Sequence, residues 1–133
     1  MQPNLKGVIA TWLAVAGLLA LVPAASAADT AFAGTWASTD TDGSRQTLAI
    51  GRGSTPSVTY LDFYAQTCDT AGSPSTQFVA TGRGSVEGAS MWVDFRNGGC
   101  GRHKLGPFGL GFSYDGTGDT LTDDFGITWY RAP

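Results

Sequence analysis

The fold of this chain is decided by the alternating stretch Ser90-Met91-Trp92-Val93-Asp94-Phe95-Arg96. Its apolar residues Met91, Val93 and Phe95 alternate with Trp92 and charged residues, which is the period of two that a β-strand with one buried face requires. A helix would need apolar side chains every three or four residues, and after residue 27 no segment keeps that spacing for three turns. The chain is therefore predicted to be all-β.

Seven other segments carry strand-like patterns and end at glycine, proline, Asp-Gly or Asn-Gly turn signals. The eight predicted strands are Phe32–Thr39, Gln46–Ile50, Val58–Thr67, Thr76–Arg83, Ser90–Arg96, Phe108–Tyr114, Asp119–Thr122 and Ile127–Arg131. Every link between them is short enough for a hairpin except the predicted loop Asn97–Pro107. Such consecutive antiparallel strands form a meander, and eight of them close most economically into an up-and-down barrel without exposed sheet edges.

The N-terminal segment has the features of a secretory signal peptide. Lys6 precedes the apolar run Val8–Val22, and Ala25-Ser26-Ala27 follows as a small-residue cleavage site. An uncleaved membrane anchor is the alternative, but the run is shorter than the roughly 20 residues that a spanning helix needs. We expect a signal peptide over 1–27 and one secreted domain over 28–133, extracellular or periplasmic and free of the membrane after cleavage.

Composition argues against several classes of partner. The 133 residues carry a formal net charge of −3, and the arginines are scattered singly along the chain. Such a chain lacks the basic patch of a nucleic-acid-binding protein, and anionic membranes are disfavoured for the same reason.

The two cysteines, Cys68 and Cys100, both lie in the exported part. An oxidising compartment favours a disulfide between them, and two cysteines with one histidine do not readily make a zinc site. The predicted third and fifth strands run parallel with the fourth between them, so both cysteines are expected at the same rim of the barrel. We predict a disulfide, no metal site and no cofactor.

The two ends of the domain resemble the calycins, the group that contains lipocalins, fatty-acid-binding proteins and avidins. The resemblance rests on Gly34-Thr35-Trp36 in the first strand and Trp129-Tyr130-Arg131 in the last. It implies a calycin-like barrel in which Trp36 plugs one end and Arg131 packs across it. The stretch from Gly34-Thr35-Trp36 through Asp42-Gly43-Ser44 to Ile50 also resembles the start of an avidin, which implies that Ser44 takes the place of a serine that contacts the biotin ureido group.

Alternation divides each predicted strand between the barrel interior and the outer surface. With Trp36 inside, the inward set is Leu48, Ile50, Leu61, Phe63, Phe78, Met91, Val93, Phe95, Phe108, Leu110, Phe112, Ile127 and Trp129. An eight-stranded barrel either fills with such side chains or holds one small ligand. The candidate contacts of a small apolar ligand in the lumen are Trp36, Phe63, Phe95, Phe112 and Trp129.

Two further surfaces are candidates for binding an extracellular protein. Tyr60, Tyr64 and Trp92 are predicted on the outer face of strands three to five, where flat aromatic groups can bind a partner. The alternative is cross-strand packing, with Trp92 covering the backbone beside Gly109 and Gly111. The second surface is the loop with Arg102, His103 and Lys104, held near Cys100, which presents either a recognition sequence or solvated charges.

No catalytic motif is present in the sequence. His103 is the sole histidine, and no Gly-x-Ser-x-Gly elbow accompanies it. Asp123-Asp124 and Asp40-Thr41-Asp42-Gly43 are interpreted as turns, since neither has the spacing of an acid/base pair or a calcium loop. The predicted function is a secreted, non-catalytic binding protein for a small apolar ligand. The alternatives are a protein-interaction or enzyme-inhibitor module and, third, an enzyme that uses His103.

Overall fold

The computed structural model describes residues 31–63, Cys68 and residues 77–133, and the regular structure in these ranges is β. The strands are β1 (Gly34–Thr39), β2 (Arg45–Ile50), β3 (Ser57–Asp62), β4 (Phe78–Glu87), β5 (Ser90–Cys100), β6 (His103–Leu105), β7 (Phe108–Asp115), β8 (Thr120–Asp123) and β9 (Thr128–Arg131). The predicted signal peptide and Tyr64 lie outside the described residues.

Eight of the strands form a closed antiparallel barrel in the order β1-β2-β3-β4-β5-β7-β8-β9. The barrel closes because β9 pairs with β1 and β4 pairs with β5. The predicted fold class, an eight-stranded up-and-down barrel, is confirmed. Because neighbouring strands of the barrel pair directly, the inward side chains of one strand lie beside those of the next.

The segment Asn97–Pro107, predicted as one long loop, is instead a hairpin. β5 continues to Cys100, and its last three residues pair with β6. The register of β4 and β5 shifts at Thr81/Gly82, where Thr81 pairs with Asn97 and Gly82 with Phe95, so that Arg96 has no opposite residue. Such a bulge bends a strand, and here the bulge precedes the part of β5 that pairs with β4 on one side and with β6 on the other.

Large side chains fill the middle of the barrel. Among the described residues, those buried inside include Trp36, Leu48, Met91, Val93, Phe95, Phe112, Leu121 and Trp129. The predicted inward set is confirmed for most strands, but it is wrong for strand three. There Tyr60 faces Leu48 and Asp62 faces Gln46, so Val58, Tyr60 and Asp62 lie inside while Leu61 pairs with Thr47 outside.

One end of the barrel is closed by its first and last strands. Phe32 and Trp36 are fully buried there, and the Trp36 indole donates a hydrogen bond to the Phe32 carbonyl oxygen at 2.9 Å. The Arg131 guanidinium lies over the Trp36 ring, as the resemblance implied. Gly34 has a φ of +131°, and a Cβ there would lie 2.8 Å from Arg131 Nη1. Glycine is thus required at this position both by the backbone and by the arginine.

The predicted disulfide is present. Cys68 and Cys100 are bonded with a Cα–Cα distance of 5.7 Å, and both are buried. Such a bond fits an oxidising location. Among the described residues, no helix is long and apolar enough to span a bilayer.

Candidate functional site

The end of the barrel opposite Arg131 is lined by polar side chains; we call it the open end. It is surrounded by the β1–β2 turn, the β8–β9 turn and the β5–β6 hairpin. Inward positions change from apolar to polar toward this end: Trp36 is followed by Ser38 on β1, Leu48 is preceded by Gln46 on β2, and Tyr60 is followed by Asp62 on β3. Since all three strands change at the same height, they build one polar floor.

A cavity of about 630 Å³ lies above this floor. Its apolar wall consists of Phe78, Leu105, Phe108, Leu110, Phe125 and Ile127. Its polar side consists of Asp40, Thr41, Gln46, Tyr60, Asp62 and Asp123. The volume is within the range of small-molecule sites, which combine apolar walls with a few polar groups.

A chain of hydrogen bonds organises part of the floor. Ser38 Oγ donates to Gln46 Oε1 at 2.8 Å, and Gln46 Nε2 donates to Tyr60 Oη at 2.7 Å. Burial, and then the negative charge of Asp62, raise the pKa of the Tyr60 hydroxyl far above its ordinary value. Tyr60 therefore stays neutral at physiological pH, and its hydroxyl keeps a proton that it can donate.

Two buried polar atoms near the floor, Ser44 Oγ and Asp62 Oδ1, make no well-formed hydrogen bond in the described structure. Each of the two residues is 5% exposed, and of the two it is Asp62 that lines the cavity. Burial raises the pKa of the Asp62 carboxyl, and the side chains of Ser44 and Gln46, acting as hydrogen-bond donors toward it, oppose this rise. Buried polar atoms are nearly always paired in native proteins, so unpaired ones beside a cavity mark the place where a ligand atom or water can bind.

Ser44 is placed by the β1–β2 turn. Asp40 N donates to the Ser44 carbonyl oxygen at 2.8 Å, Gly43 N donates to the Asp40 carbonyl oxygen at 2.9 Å, and Ser44 N donates to Asp42 Oδ1 at 2.8 Å. The interpretation of Asp40-Thr41-Asp42-Gly43 as a hairpin turn is confirmed. The turn brings Ser44 to the position before β2, where its side chain points inward.

Asp123 organises the opposite side of the cavity. Its carboxylate accepts hydrogen bonds from Phe125 N at 2.9 Å, Ile127 N at 3.0 Å and Trp129 Nε1 at 3.0 Å. The interpretation of Asp123-Asp124 as turn residues is confirmed. The bonded turn also holds Phe125 at the rim, with 80% of its surface exposed.

The aromatic rings of the wall pack against one another and against the core. Phe95 and Phe108 stack with their centroids 4.7 Å apart, and Phe78 lies 5.9 Å from Phe108. Tyr60 contacts Phe78, Phe95 and Trp129 edge to face, at 5.8, 6.1 and 6.0 Å. The wall is therefore continuous with the core, which holds it rigid.

The five side chains predicted to contact a ligand lie elsewhere. Trp36, Phe95, Phe112 and Trp129 are buried in the core beneath the cavity. Phe63 was predicted to face the interior. This prediction is wrong, because Phe63 lies on the outer side, with the Arg45 guanidinium carbon 5.8 Å from its ring centroid. The cavity instead uses Phe78, Phe108, Leu110 and Ile127 of the predicted inward set, together with polar residues that sequence reasoning missed. The sequence pattern gave no signal for them, because their inward positions follow from the pairing of β2 with β3.

The predicted outer aromatic patch is changed by the register of β3. Tyr60 was predicted outside, and this placement is wrong because it faces the interior. Trp92 is outside as predicted, 49% exposed, and donates a hydrogen bond from Nε1 to Asp94 Oδ1 at 3.1 Å. Its ring covers Gly109, where a Cβ would lie 2.1 Å from Trp92 Cζ2. Gly111, predicted to share this cover, instead lies against Asp124, which accepts its N–H at 2.7 Å.

The basic cluster Arg102, His103 and Lys104 is exposed on the β5–β6 hairpin. Cys100 pairs with His103 directly beside the turn of the hairpin, so the disulfide fixes the hairpin next to its turn. Lys104 also lines a depression of about 370 Å³ on the outer surface, together with Val79 and Arg96. The following residues, Leu105 and Gly106, line the open-end cavity, so the hairpin is shared between both surfaces.

Within the described ranges, no group of histidine, cysteine and acidic side chains could hold a metal ion. No family model, curated protein or solved structure matches this chain, so the calycin resemblance remains a prediction from the sequence.

Proposed function

We propose that this protein is a secreted, non-catalytic binding protein that holds one small amphipathic molecule in the open-end cavity. The observation that carries the proposal is a cavity of about 630 Å³ with an apolar wall on one side and, in its polar lining, the buried atom Asp62 Oδ1, which has no well-formed hydrogen bond in the described structure. A ligand with an apolar body and one polar end would cover the wall and pair this atom. This refines the apolar ligand expected from the sequence.

The rigid surroundings of the cavity support binding. Its wall packs on the aromatic core, and its two turns are fixed by hydrogen bonds of Asp40, Asp42 and Asp123. A preformed site loses little conformational freedom when the ligand binds. Secretion is supported by the disulfide and by the signal-like segment 1–27.

The experiment blocks the cavity at its rim. Gly106 lines the cavity and is exposed, and a Cβ added there would meet no other atom within 4 Å, so Gly106→Trp adds a large side chain without a clash at its base. We expect the folded protein to bind the neutral apolar dye Nile red with enhanced fluorescence and Gly106→Trp to lose this binding. The matched control is Gly116→Trp, in the β7–β8 turn at the other end of the barrel.

Equal dye binding by the Gly106→Trp variant and the unsubstituted protein would contradict the site. Native mass spectrometry of protein secreted by its own host adds an independent readout, because a retained mass identifies a natural ligand. Absence of both dye binding and a retained mass would contradict the proposed function.

A second candidate function is protein binding through the β5–β6 hairpin. It is favoured by the exposure of Arg102, His103 and Lys104 on a hairpin that the disulfide fixes next to its turn. Replacement of all three by serine would abolish capture of an acidic protein partner from the host's culture fluid and leave Nile red binding unchanged. Unchanged capture by this variant would reject the hairpin as the binding surface.

A further inference from the structure

We propose that the ligand of the open-end cavity carries a protonated primary or secondary amine that binds against Asp62, with its apolar body along the phenylalanine wall. This inference rests on the proposed function and adds the chemical class of the ligand. Three features of the cavity support this inference: its acidic lining, the buried carboxyl group of Asp62 and the aromatic rings of its wall.

The cavity is lined by acids without a compensating base. Asp40, Asp62 and Asp123 line it, whereas no lysine, arginine or histidine does so among the residues that the structure describes. The nearest arginine along β2, Arg45, is exposed and lies over Phe63 on the outer side. Arg131 is paired with Asp119 at the other end of the barrel. A positive group entering the cavity therefore meets a negative potential that no lining side chain neutralises, and the basic residues Arg102, His103 and Lys104 of the neighbouring β5–β6 hairpin are exposed to solvent, where their charges are screened.

The buried carboxylate of the lining selects a hydrogen-bond donor. Asp62 lines the cavity, and its Oδ1 is a buried acceptor without a well-formed hydrogen bond in the described structure, although the side chains of Ser44 and Gln46 act as neutral donors toward the carboxyl group. An ammonium group has N–H donors and no acceptor, so it can pair with Oδ1 and also supply the counter-charge that these neutral donors lack. A carboxylate ligand would instead place a second negative charge against Asp62, and a neutral donor would leave the buried charge without a counter-charge.

The aromatic wall can bind the apolar part of the ligand, next to its ammonium group. Tyr60 and Phe78 line the cavity with their ring centroids 5.8 Å apart, and Phe108 lies on the other side of Phe78. Ring faces attract cations and also bind apolar groups. An alkyl or aryl chain attached to the amine would therefore continue along the wall toward Leu110 and Ile127.

The same geometry predicts the pH dependence of amine binding. Among the described residues, the titratable groups around Asp62 are Asp40 and Asp42 in the β1–β2 turn, Tyr60 on β3 and Asp123 on β8. Burial raises the pKa of the Asp62 carboxyl in the unliganded protein. Amine binding requires the ionised carboxylate, so affinity should rise as the pH increases through this pKa and level off above it.

The test compares two fluorescent probes with the same body. Monodansylcadaverine carries a primary ammonium on a dansyl group, and its N-acetyl derivative lacks the charge. We expect the amine to bind at least about 10-fold more tightly than the acetylated probe, and Asp62→Asn to weaken amine binding by about 10- to 100-fold with little change for the acetylated probe. The matched control Glu87→Gln removes an exposed acid of β4 and should leave both affinities unchanged.

Equal affinities for the two probes, or unchanged amine binding in a folded Asp62→Asn variant, would overturn the inference. If Asp62→Asn does not fold, the pH profile of the unsubstituted protein decides, and a flat profile for the amine rejects it. Nile red binding that Gly106→Trp blocks, without any preference for the amine, rejects this inference and leaves the proposed function standing. Failure of all three probes rejects this inference, and together with the absence of a retained mass it also rejects the proposed function.

Discussion

The guanidinium carbon of Arg131 lies 4.2 Å from the centroid of the Trp36 ring and links the last strand to the first. The same side chain donates hydrogen bonds to the carbonyl oxygens of Ala33 at 2.8 Å and Ala31 at 3.0 Å and forms an ion pair with Asp119. One residue thus fixes the segment before β1, the β7–β8 turn and the barrel seam.

Replacement of Arg131 is expected to destabilise the barrel at this seam. Arg131→Met keeps much of the side-chain volume but loses the cation–π contact and the hydrogen bonds, so we expect the free energy of unfolding to fall by about 2 kcal/mol. Arg131→Lys keeps the positive charge but lacks the planar guanidinium group, so the free energy of unfolding should fall by about half as much. Urea denaturation measures both. Equal stability of the Met variant and the unsubstituted protein would show that the contact does not hold the seam.

Asp119 makes this seam sensitive to acid. Hydrogen bonding from the Arg131 guanidinium lowers the pKa of the Asp119 carboxyl below its ordinary value of 3.8. A lowered pKa in the folded state means that the ion pair stabilises the fold above the ordinary carboxyl pKa and that this contribution is lost as the pH falls through the folded-state value. Asp119→Asn should therefore lower stability at neutral pH, and the difference from the unsubstituted protein should shrink on acidification.

The Asp119→Asn substitution suits the backbone, because Asp119 has a φ of 49° and asparagine tolerates this left-handed region. Urea unfolding between about pH 2 and pH 7 measures the effect. Glu87→Gln is the control for the loss of one surface charge. A stability difference for Asp119→Asn that stays constant over this range would contradict the ion-pair explanation.

The strands of the barrel could be predicted from alternation, but the polar floor could not. On β3, hydrophobicity alone favours Leu61 and Phe63 inside and leaves Tyr60 and Asp62 outside. The opposite register holds because Tyr60 pairs with Leu48 and Asp62 with Gln46, which are inward on β2. Polar inward positions make sense only once the strands are known to meet at a cavity, and that knowledge comes from the pairing between strands.

The β5–β6 hairpin was missed for a different reason. Asn97, Gly98 and Gly99 are turn-forming residues, and a stretch rich in them is typical of a loop. In the structure, Gly99 is needed inside the sheet, because a Cβ there would lie 2.4 Å from the His103 carbonyl oxygen. Glycines that permit close approach of two strands and glycines that make a turn look alike in a sequence.

The disulfide is expected to contribute strongly to stability. Cys68 and Cys100 are 32 residues apart, and in the chain-entropy model a loop of this length corresponds to about 3 to 4 kcal/mol. We expect the double variant Cys68→Ser/Cys100→Ser to lose this amount in urea denaturation under oxidising conditions. Reduction of the unsubstituted protein should give a similar loss and leave the double variant unchanged. A loss of less than about 1 kcal/mol would contradict the predicted contribution.

The packing of Trp92 on Gly109 distinguishes a structural role from a binding role. A Cβ at Gly109 would meet the Trp92 ring at 2.1 Å, so Gly109→Ala must displace the indole and break its hydrogen bond to Asp94. We expect the single substitution Gly109→Ala to lower the free energy of unfolding by about 1 to 3 kcal/mol. In a Trp92→Ala background the clash is absent, and the same change should become neutral or slightly stabilising because alanine loses less entropy than glycine on folding.

The coupling free energy between the two positions, measured by urea denaturation of the four proteins in the cycle, should therefore be at least about 1 kcal/mol. Gly82→Ala provides the control, because its Cβ would meet the backbone carbonyl oxygen of Asp94 at 2.2 Å, a clash that Trp92→Ala does not relieve. The coupling tests the contact itself, and the stability of Trp92→Ala tests its role. If Trp92 served a partner alone, Trp92→Ala would leave stability unchanged. A loss of stability in Trp92→Ala beside coupling of the expected size would show that half-exposed Trp92 stabilises the barrel wall, and the exposed hairpin would then be the stronger candidate for any protein partner.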